Sequence, residues 1–287
     1  MVVHAGMHPL VLIMGWRRLK STGHLRVYGL PLNGFRAATP GAAMGQIRFP
    51  DTYLFCIFVS MALILQLETS TTSCSVALSI NGETVALKEI NERNAHASSL
   101  TLFIEEVMLS YGKEMHELDA VAVSMGPGSY TGLRIGVSSA KGLCYGLDIP
   151  LIAINTLEAM AGGYQKIDAS HSGLYCPMID ARRMEVYSAI YDANMKEVLP
   201  VEARIINADS FSDILGIQRI TFFGDGAMKC EDVLSYSSNA VFVPGFNNSA
   251  KDMSTLAYQK YLGKQFEDVA YFEPYYLKDF LIIESKK

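Results

Sequence analysis

The first fifty residues contain no aspartate or glutamate, and Asp51 is the single acid before residue 61. The same stretch carries Arg17, Arg18, Lys20, Arg26, Arg36 and Arg48. After residue 60 the balance reverses. There 18 Lys and Arg stand against 28 Asp and Glu, a net charge of −10 inside a chain whose total is −5. Such a body lacks the overall basic footprint of a nucleic-acid or anionic-membrane protein. No run of basic and aromatic residues stands out in it either, which argues against a large direct share in RNA binding. Charged residues are scarce at 18% and hydrophobic ones make up 50%, so 287 residues can bury a sizeable core and pervasive disorder is excluded.

Other absences narrow the chemistry. The longest apolar run, Tyr53–Leu65, is 13 residues with Ser60 inside it, too short to span a bilayer. The body has three histidines, His96, His116 and His171, and none has a second histidine three to five positions away. No helix therefore presents the histidine pair of an H-E-x-x-H metal site, and all three read as ordinary polar residues. The five cysteines (Cys56, Cys74, Cys144, Cys176, Cys230) are odd in number and form no C-x-x-C. Cys74, Cys144 and Cys176 sit in apolar patterns, as reduced core thiols of a cytoplasmic protein do. A G-x-S-x-G nucleophile elbow is missing, as is a G-x-x-x-x-G-K-[ST] phosphate loop.

The prefix 1–60 does not read as a targeting signal. Pro9–Trp16 is a short apolar stretch with Arg17-Arg18 after it instead of before it, contrary to a secretory signal. An Arg-rich, acid-poor leader suits an organellar transit peptide, but Gly29, Pro31, Gly34, Pro40, Gly41 and Gly45 break any amphipathic helix. Met61 stands immediately before the first clean strand. The expectation is a poorly structured extension over 1–60, with translation beginning at Met61.

From there the periodicity is regular. Strands are expected at Ala62–Glu68, Cys74–Ile80 and Thr84–Ile90, the last two joined by the hairpin signal Asn81-Gly82. A helix follows over about His96–Tyr111, capped by Gly112. Then come a strand Asp119–Met125, the tight loop Gly126–Thr131, a helix Gly132–Leu147, a strand Leu151–Asn155 and a helix Leu157–Tyr164. The polar stretch Gln165–Gly173 marks a boundary. Beyond it, strands are expected at Leu174–Ile179, Glu185–Tyr191, Val201–Asn207 and Ile220–Gly224, with a helix over Ala250–Leu262. Two α/β lobes, 61–165 and 166–287, follow the extension, the last helix packing back on the first lobe.

Two loops offer binding chemistry. Glu68-Thr-Ser-Thr-Thr-Ser73 supplies hydroxyls at a strand-to-strand turn, where Thr69 and Ser70 can cradle phosphate or simply make a turn. Gly126-Pro-Gly-Ser129 precedes a helix whose free N–H groups suit an anion, which brings in Gly126, Gly128 and Ser129. The spacing of Gly126, Gly128 and Gly132 is near that of a dinucleotide fingerprint, but the strand ending at Asn155 brings no carboxylate for a ribose. In the same helix Gly132, Gly136 and Ala140 form a row of small residues four apart. Such a row lets another backbone approach closely, either the chain's own sheet or a second subunit.

LQLETSTTSCSVAL (65–78), SMGPGSYTGLRIGVSSAKGL (124–143) and PLIAINTLEAMA (150–161) resemble the TsaB family, the glycoprotease-like subunit of the bacterial machinery that makes threonylcarbamoyladenosine in tRNA. FGDGA (223–227) and PYYLK (274–278) are similar to its second-lobe and C-terminal signatures. The resemblance implies an α/β, two-lobed, actin-like/sugar-kinase-like (ASKHA) fold with mixed sheets flanked by helices. It implies a cytoplasmic, non-catalytic scaffold that pairs through its first two helices, with Leu100, Phe103, Ile104 and Val107 joining Gly132, Gly136 and Ala140 at the interface. The partners implied are a TsaD-like catalytic paralogue and a TsaE-like ATPase, with a homodimer when alone, tRNA contacted through the complex and no membrane. It adds Gly224 and Gly226 to the candidate phosphate residues. No cofactor is expected to bind tightly, with ATP or ADP at the subunit interface the ligand left open, and no catalytic residue or metal is expected. Glu68 stands where active ATPases of this superfold carry Asp, against independent phosphoryl transfer. The alternative is a stand-alone ATPase or small-molecule kinase built on Glu68 and the 69–73 loop.

Overall fold

Strand β1 (Leu63–Glu68) is buried at all six positions, the mark of a strand covered on both faces. The computed structural model describes residues 61–92, 96–168 and 173–278. The readings of the 1–60 prefix, Cys56 and His171 lie outside them. β1 pairs antiparallel with β2 (Ser73–Ile80) and parallel with β4 (Ala120–Gly126). β3 (Glu83–Asn91) and β5 (Leu151–Asn155) complete a sheet of order β3-β2-β1-β4-β5. The β2–β3 turn is a two-residue hairpin in which Asn81 (φ 52°) and Gly82 (φ 85°) both take positive φ. That is what a type I′ turn demands and why Asn-Gly signals one.

Alternation along β1 divides the packing. Leu63, Leu65 and Leu67 meet α1 (His96–Ser110) and α2 (Tyr130–Leu147) through Leu100, Ile104, Val107, Val137 and Ala140. Ile64 on the other face meets Ala159, Met253 and Ala257. A buried side chain of the Leu or Ile size stabilises by about 1.5–3 kcal/mol relative to exposure, so this double burial anchors the first sheet.

The second sheet repeats the first one's topology. β6 (Leu174–Asp180), β7 (Glu185–Tyr191) and β8 (Glu197–Ile205) form an antiparallel meander, and β9 (Ile220–Phe223) and β10 (Ala240–Val243) add in parallel, giving β10-β9-β6-β7-β8. One face packs on the single turns α4 (Ser212–Leu215) and α5 (Glu231–Leu234) through Leu215 and Leu234. The other meets α3 (Thr156–Ile167), whose Leu157, Met160 and Tyr164 lie against Tyr175, Ile179 and Phe223. Helix α3 thus lies between the two sheets, with Ala159 on the first core and Tyr164 on the second. Its N-terminus is fixed by Asn155, whose Oδ1 accepts from the N–H groups of Leu157 (2.9 Å) and Glu158 (3.2 Å). After β10 the chain returns to the first sheet, where α6 (Ser254–Leu262) packs on β1 and β5.

Several elements differ from expectation. α2 begins at Tyr130 because Ser129 caps it, accepting from Gly132 N at 3.3 Å. β8 begins at Glu197, before Pro200, which an edge strand tolerates because one side of its ladder is unpaired. β10 is an unexpected four-residue edge strand, and the last helix starts as a 3₁₀ turn over Ala250–Met253. Among the described residues no helix is long and apolar enough to cross a membrane.

Candidate functional site

The candidate loops converge at the carboxyl ends of β1 and β4, and they meet each other. Ser129 N donates to Ser70 O at 2.6 Å, and Thr69 Oγ1 donates to Gly132 O at 2.8 Å. A Cβ on Gly128 would lie 2.3 Å from Ser70 O, one on Gly132 2.0 Å from Thr69 O, and one on Gly136 2.3 Å from Thr69 Oγ1. Each glycine therefore admits the 69–70 backbone or side chain, a contact no other residue permits. The group that approaches the small-residue row in the single chain is its own 69–70 loop. Gly132, Gly136 and Ala140, the small residues expected at an interface, are all buried inside the single chain. Leu100, Ile104 and Val107 of the same expectation lie in the first core, with Phe103 half-buried against it.

A second layer closes the same loop. Asn248 Nδ2 donates to Ser70 Oγ at 3.0 Å, while Thr71 Oγ1 donates to Asn248 Oδ1 at 2.5 Å. Thr71 Oγ1 also accepts from Ser73 N at 3.1 Å. Beneath lies Glu68, fully buried, whose Oε1 accepts from Ser70 N (2.6 Å) and Ser124 Oγ (2.9 Å). Burial raises its pKa, against the hydrogen bonds from Ser70, Ser124 and Asn248 that favour the carboxylate. Asp252 sits in the same wall, and Gly163 makes room for its carboxyl group, which accepts from Ser249 N at 3.2 Å. Burial raises Asp252 to about 7. Thr69 and Ser70 thus have no exposed surface, and their hydroxyls are engaged within the chain.

The remaining candidates serve other contacts. Gly126 (φ 113°) lies against Tyr275 O, and Tyr275 N donates to Met125 O at 2.7 Å. Gly224 (φ 104°) admits Met178 O, and Gly226 admits the Ile179–Asp180 peptide, both in the second sheet. Between them Asp225 accepts from Asp180 N at 3.0 Å. The structure brings Thr69, Ser70, Gly128, Ser129 and Gly132 into one cluster and leaves Gly224 and Gly226 to a separate one. Cys74, Cys144, Cys176 and Cys230 are buried free thiols. No group of three or more His, Cys, Asp or Glu suited to a metal ion occurs among the described residues.

What faces outward on α1 and α2 is a different set. Leu102 is 50% exposed, Leu109 68% and Tyr145 86%, and Gly142 and Gly146 have open space where a side chain would stand. Beside this face a depression of about 370 Å³ is lined by Tyr130, Arg134, Ser138, Lys141, Phe272 and Tyr276 among others. The Tyr130 and Tyr276 rings lie 4.9 Å apart, and the Arg134 guanidinium stands over Tyr130. Its halves come from segments at least 131 positions apart, so no local pattern shows it.

The family model described as TsaD, tRNA N6-adenosine threonylcarbamoyltransferase, matches residues 88–279. A Haemophilus influenzae protein named tRNA threonylcarbamoyladenosine biosynthesis protein TsaB is 39% identical over 43% of this chain and 51% of its own length. Its Escherichia coli namesake is 37% identical over 45% of this chain and 54% of its own. The matched region therefore spans about half the length of these curated relatives. A solved structure, YeaZ from Pseudomonas aeruginosa, superposes with a TM-score of 0.66 at 24% identity, covering 76% of this chain and all of that one. The resemblance to TsaB seen in the sequence is borne out, as is the α/β class of two mixed sheets flanked by helices.

Proposed function

The chain belongs to the family described as TsaD, tRNA N6-adenosine threonylcarbamoyltransferase, and from that premise we propose that it serves threonylcarbamoyladenosine biosynthesis in tRNA as a non-catalytic partner subunit. It pairs with a catalytic TsaD-like paralogue, a TsaE-like ATPase joins the pair, and in isolation a second copy takes the paralogue's place. The observation that carries the non-catalytic assignment is the self-filled loop at Thr69–Thr71. Its hydroxyls and the Glu68 carboxylate are engaged by Gly132, Asn248, Ser124 and the backbone. A phosphoryl-transfer site needs such groups open to the nucleotide and its metal.

Pairing is assigned to the outer face of α1 and α2. Leu102, Leu109 and Tyr145 expose apolar surface there, and open glycines at 142 and 146 allow close approach of another helix. ATP or ADP is the ligand we propose beside this interface, supported by Arg134, Lys141 and the Tyr130–Tyr276 pair that line the depression.

The test is reconstitution with the paralogue from the same organism. The modified adenosine is expected only when both chains are present, and Leu109→Glu with Tyr145→Glu should abolish pairing while the melting temperature holds. Modification by either chain alone, or pairing untouched by the double variant, would overturn the assignment.

A further inference from the structure

Residues 267–278 contain no helix and no strand beyond an isolated bridge between Glu267 and Leu151, yet they are fastened along their length. Asp268 closes a tight turn. Its Oδ1 accepts from Ala270 N (2.8 Å) and Tyr271 N (3.1 Å), and its carbonyl accepts from Phe272 N at 2.8 Å. Lys141 reaches across from α2 and donates to Ala270 O (3.1 Å) and Phe272 O (2.9 Å), the carbonyls on either side of Tyr271. Bonds from an ammonium group are among the stronger hydrogen bonds, so this pair pins the turn to the helix. Val269 and Phe272 pack on the first core. Farther on, Tyr275 N donates to Met125 O and the Tyr276 ring lies 4.9 Å from that of Tyr130. With Lys141 holding one end and Tyr130 the other, residues 271–276 run antiparallel along about three turns of α2.

The turn sends Val269 and Phe272 inward and leaves Tyr271 outside. Tyr271 is 84% exposed, matching Tyr145 at 86%, which stands one helical turn beyond Lys141. The exposed positions of α2 include Thr131, Arg134, Ser138, Gly142 and Tyr145, a stripe at helical spacing. The segment 271–276 lies along one flank of that stripe, across the depression lined by Ser138 and Lys141 on one side and by Phe272 and Tyr276 on the other. A tyrosine whose backbone is fixed on both sides loses little freedom when a partner covers it, which is what an interface anchor requires.

We propose that residues 270–276 form the third element of the pairing face beside α1 and α2, with Lys141 positioning them and Tyr271 seated against the catalytic paralogue. The occupant follows from continuity. Lys141 joins the Tyr271 turn to the same stretch of α2 as Gly142 and Tyr145, where pairing is assigned, and a helix laid along Ser138 and Gly142 meets the segment as a side wall. The proposal rests on that assignment and deepens it. It also gives Lys141 a task in a sequence that has no phosphate loop: it is a positioning residue that presents Tyr271.

The experiment titrates the full chain with the paralogue from the same organism by calorimetry, without added nucleotide. Tyr271→Ala should weaken pairing at least about tenfold while the melting temperature holds. Lys141→Met keeps the apolar stem and removes the ammonium group. It should weaken pairing as well and speed amide exchange at Ala270, Tyr271 and Phe272 in the unpaired chain. Either variant pairing at wild-type affinity would overturn the proposal, as would a loss of affinity in Tyr271→Ala that comes with a lowered melting temperature. Self-association lost in Tyr271→Ala with pairing retained would overturn it in favour of a second copy of this chain. The Leu109→Glu, Tyr145→Glu variant is titrated alongside. If it still pairs, the subunit reading fails; if it does not and Tyr271→Ala does, only the third element falls.

Discussion

Asn248 and Ser70 stand 178 positions apart in the chain and are joined by a 3.0 Å hydrogen bond between two buried side chains. That bond, with Thr71 Oγ1 on Asn248 Oδ1, seals the first-sheet loop with the segment that follows the second sheet. Asn248→Ala should leave the Ser70 and Thr71 hydroxyls without this partner. An unsatisfied buried group costs about 1–3 kcal/mol, and in a domain of this size each kcal/mol lowers the melting temperature by about 2–4 °C. Calorimetry checks it. A melting temperature unchanged by Asn248→Ala would mean the seal contributes nothing.

The small residues of α2 should divide sharply by face. Gly132→Ala places a Cβ 2.0 Å from Thr69 O, a backbone atom that cannot swing away, so destabilisation of about 1–3 kcal/mol or more is expected. Gly142→Ala meets nothing within 4 Å in a helix interior and should stabilise the isolated chain by about 0.5–1 kcal/mol. Urea unfolding of the two variants tests the contrast, and equal effects would contradict the packing described.

That contrast shows what the sequence can reveal. The spacing of Gly132, Gly136 and Ala140 showed that something approaches this face closely. It could not show that the visitor is Thr69, because 63 residues separate the Thr69 hydroxyl from its acceptor on Gly132. β1 and the Asn81-Gly82 hairpin were legible because their signals are local: a short, mostly apolar run and a dipeptide suited to positive φ. β10 was not, since a four-residue, half-buried edge strand carries little periodicity. Nor was the topological repeat of the two sheets, which is shared by strand order rather than by sequence.

The buried thiols should be silent. Burial pushes Cys74 up to about 11 and Cys144 up to about 12, and raises Cys176 and Cys230 as well. The thiolate is the reactive form, so these four should resist a disulfide reagent at pH 8 in the native protein and react once unfolded. A native titre above one thiol per chain would show that at least one of these four is reactive.

Asp252 sets a pH dependence whose direction follows from its environment. Its carboxyl group is raised from 3.8 to about 7 by burial, with Glu68 adding in the same sense and Lys251, Lys166 and the Ser249 N–H opposing. Between about pH 4 and 7 the folded chain holds a proton that the unfolded chain has released. Stability from this group is therefore present below pH 4 and is lost as pH rises through 7. Glu68, also raised by burial, acts with the same sign. Asp252→Asn keeps an oxygen for the Ser249 N–H and removes the titration. Denaturant unfolding should show the variant losing less stability than the wild type between pH 5 and 8, and overtaking it at the alkaline end. Parallel pH profiles would mean that the carboxyl group is already ionised in the folded chain, with Lys251 and Lys166 outweighing its burial.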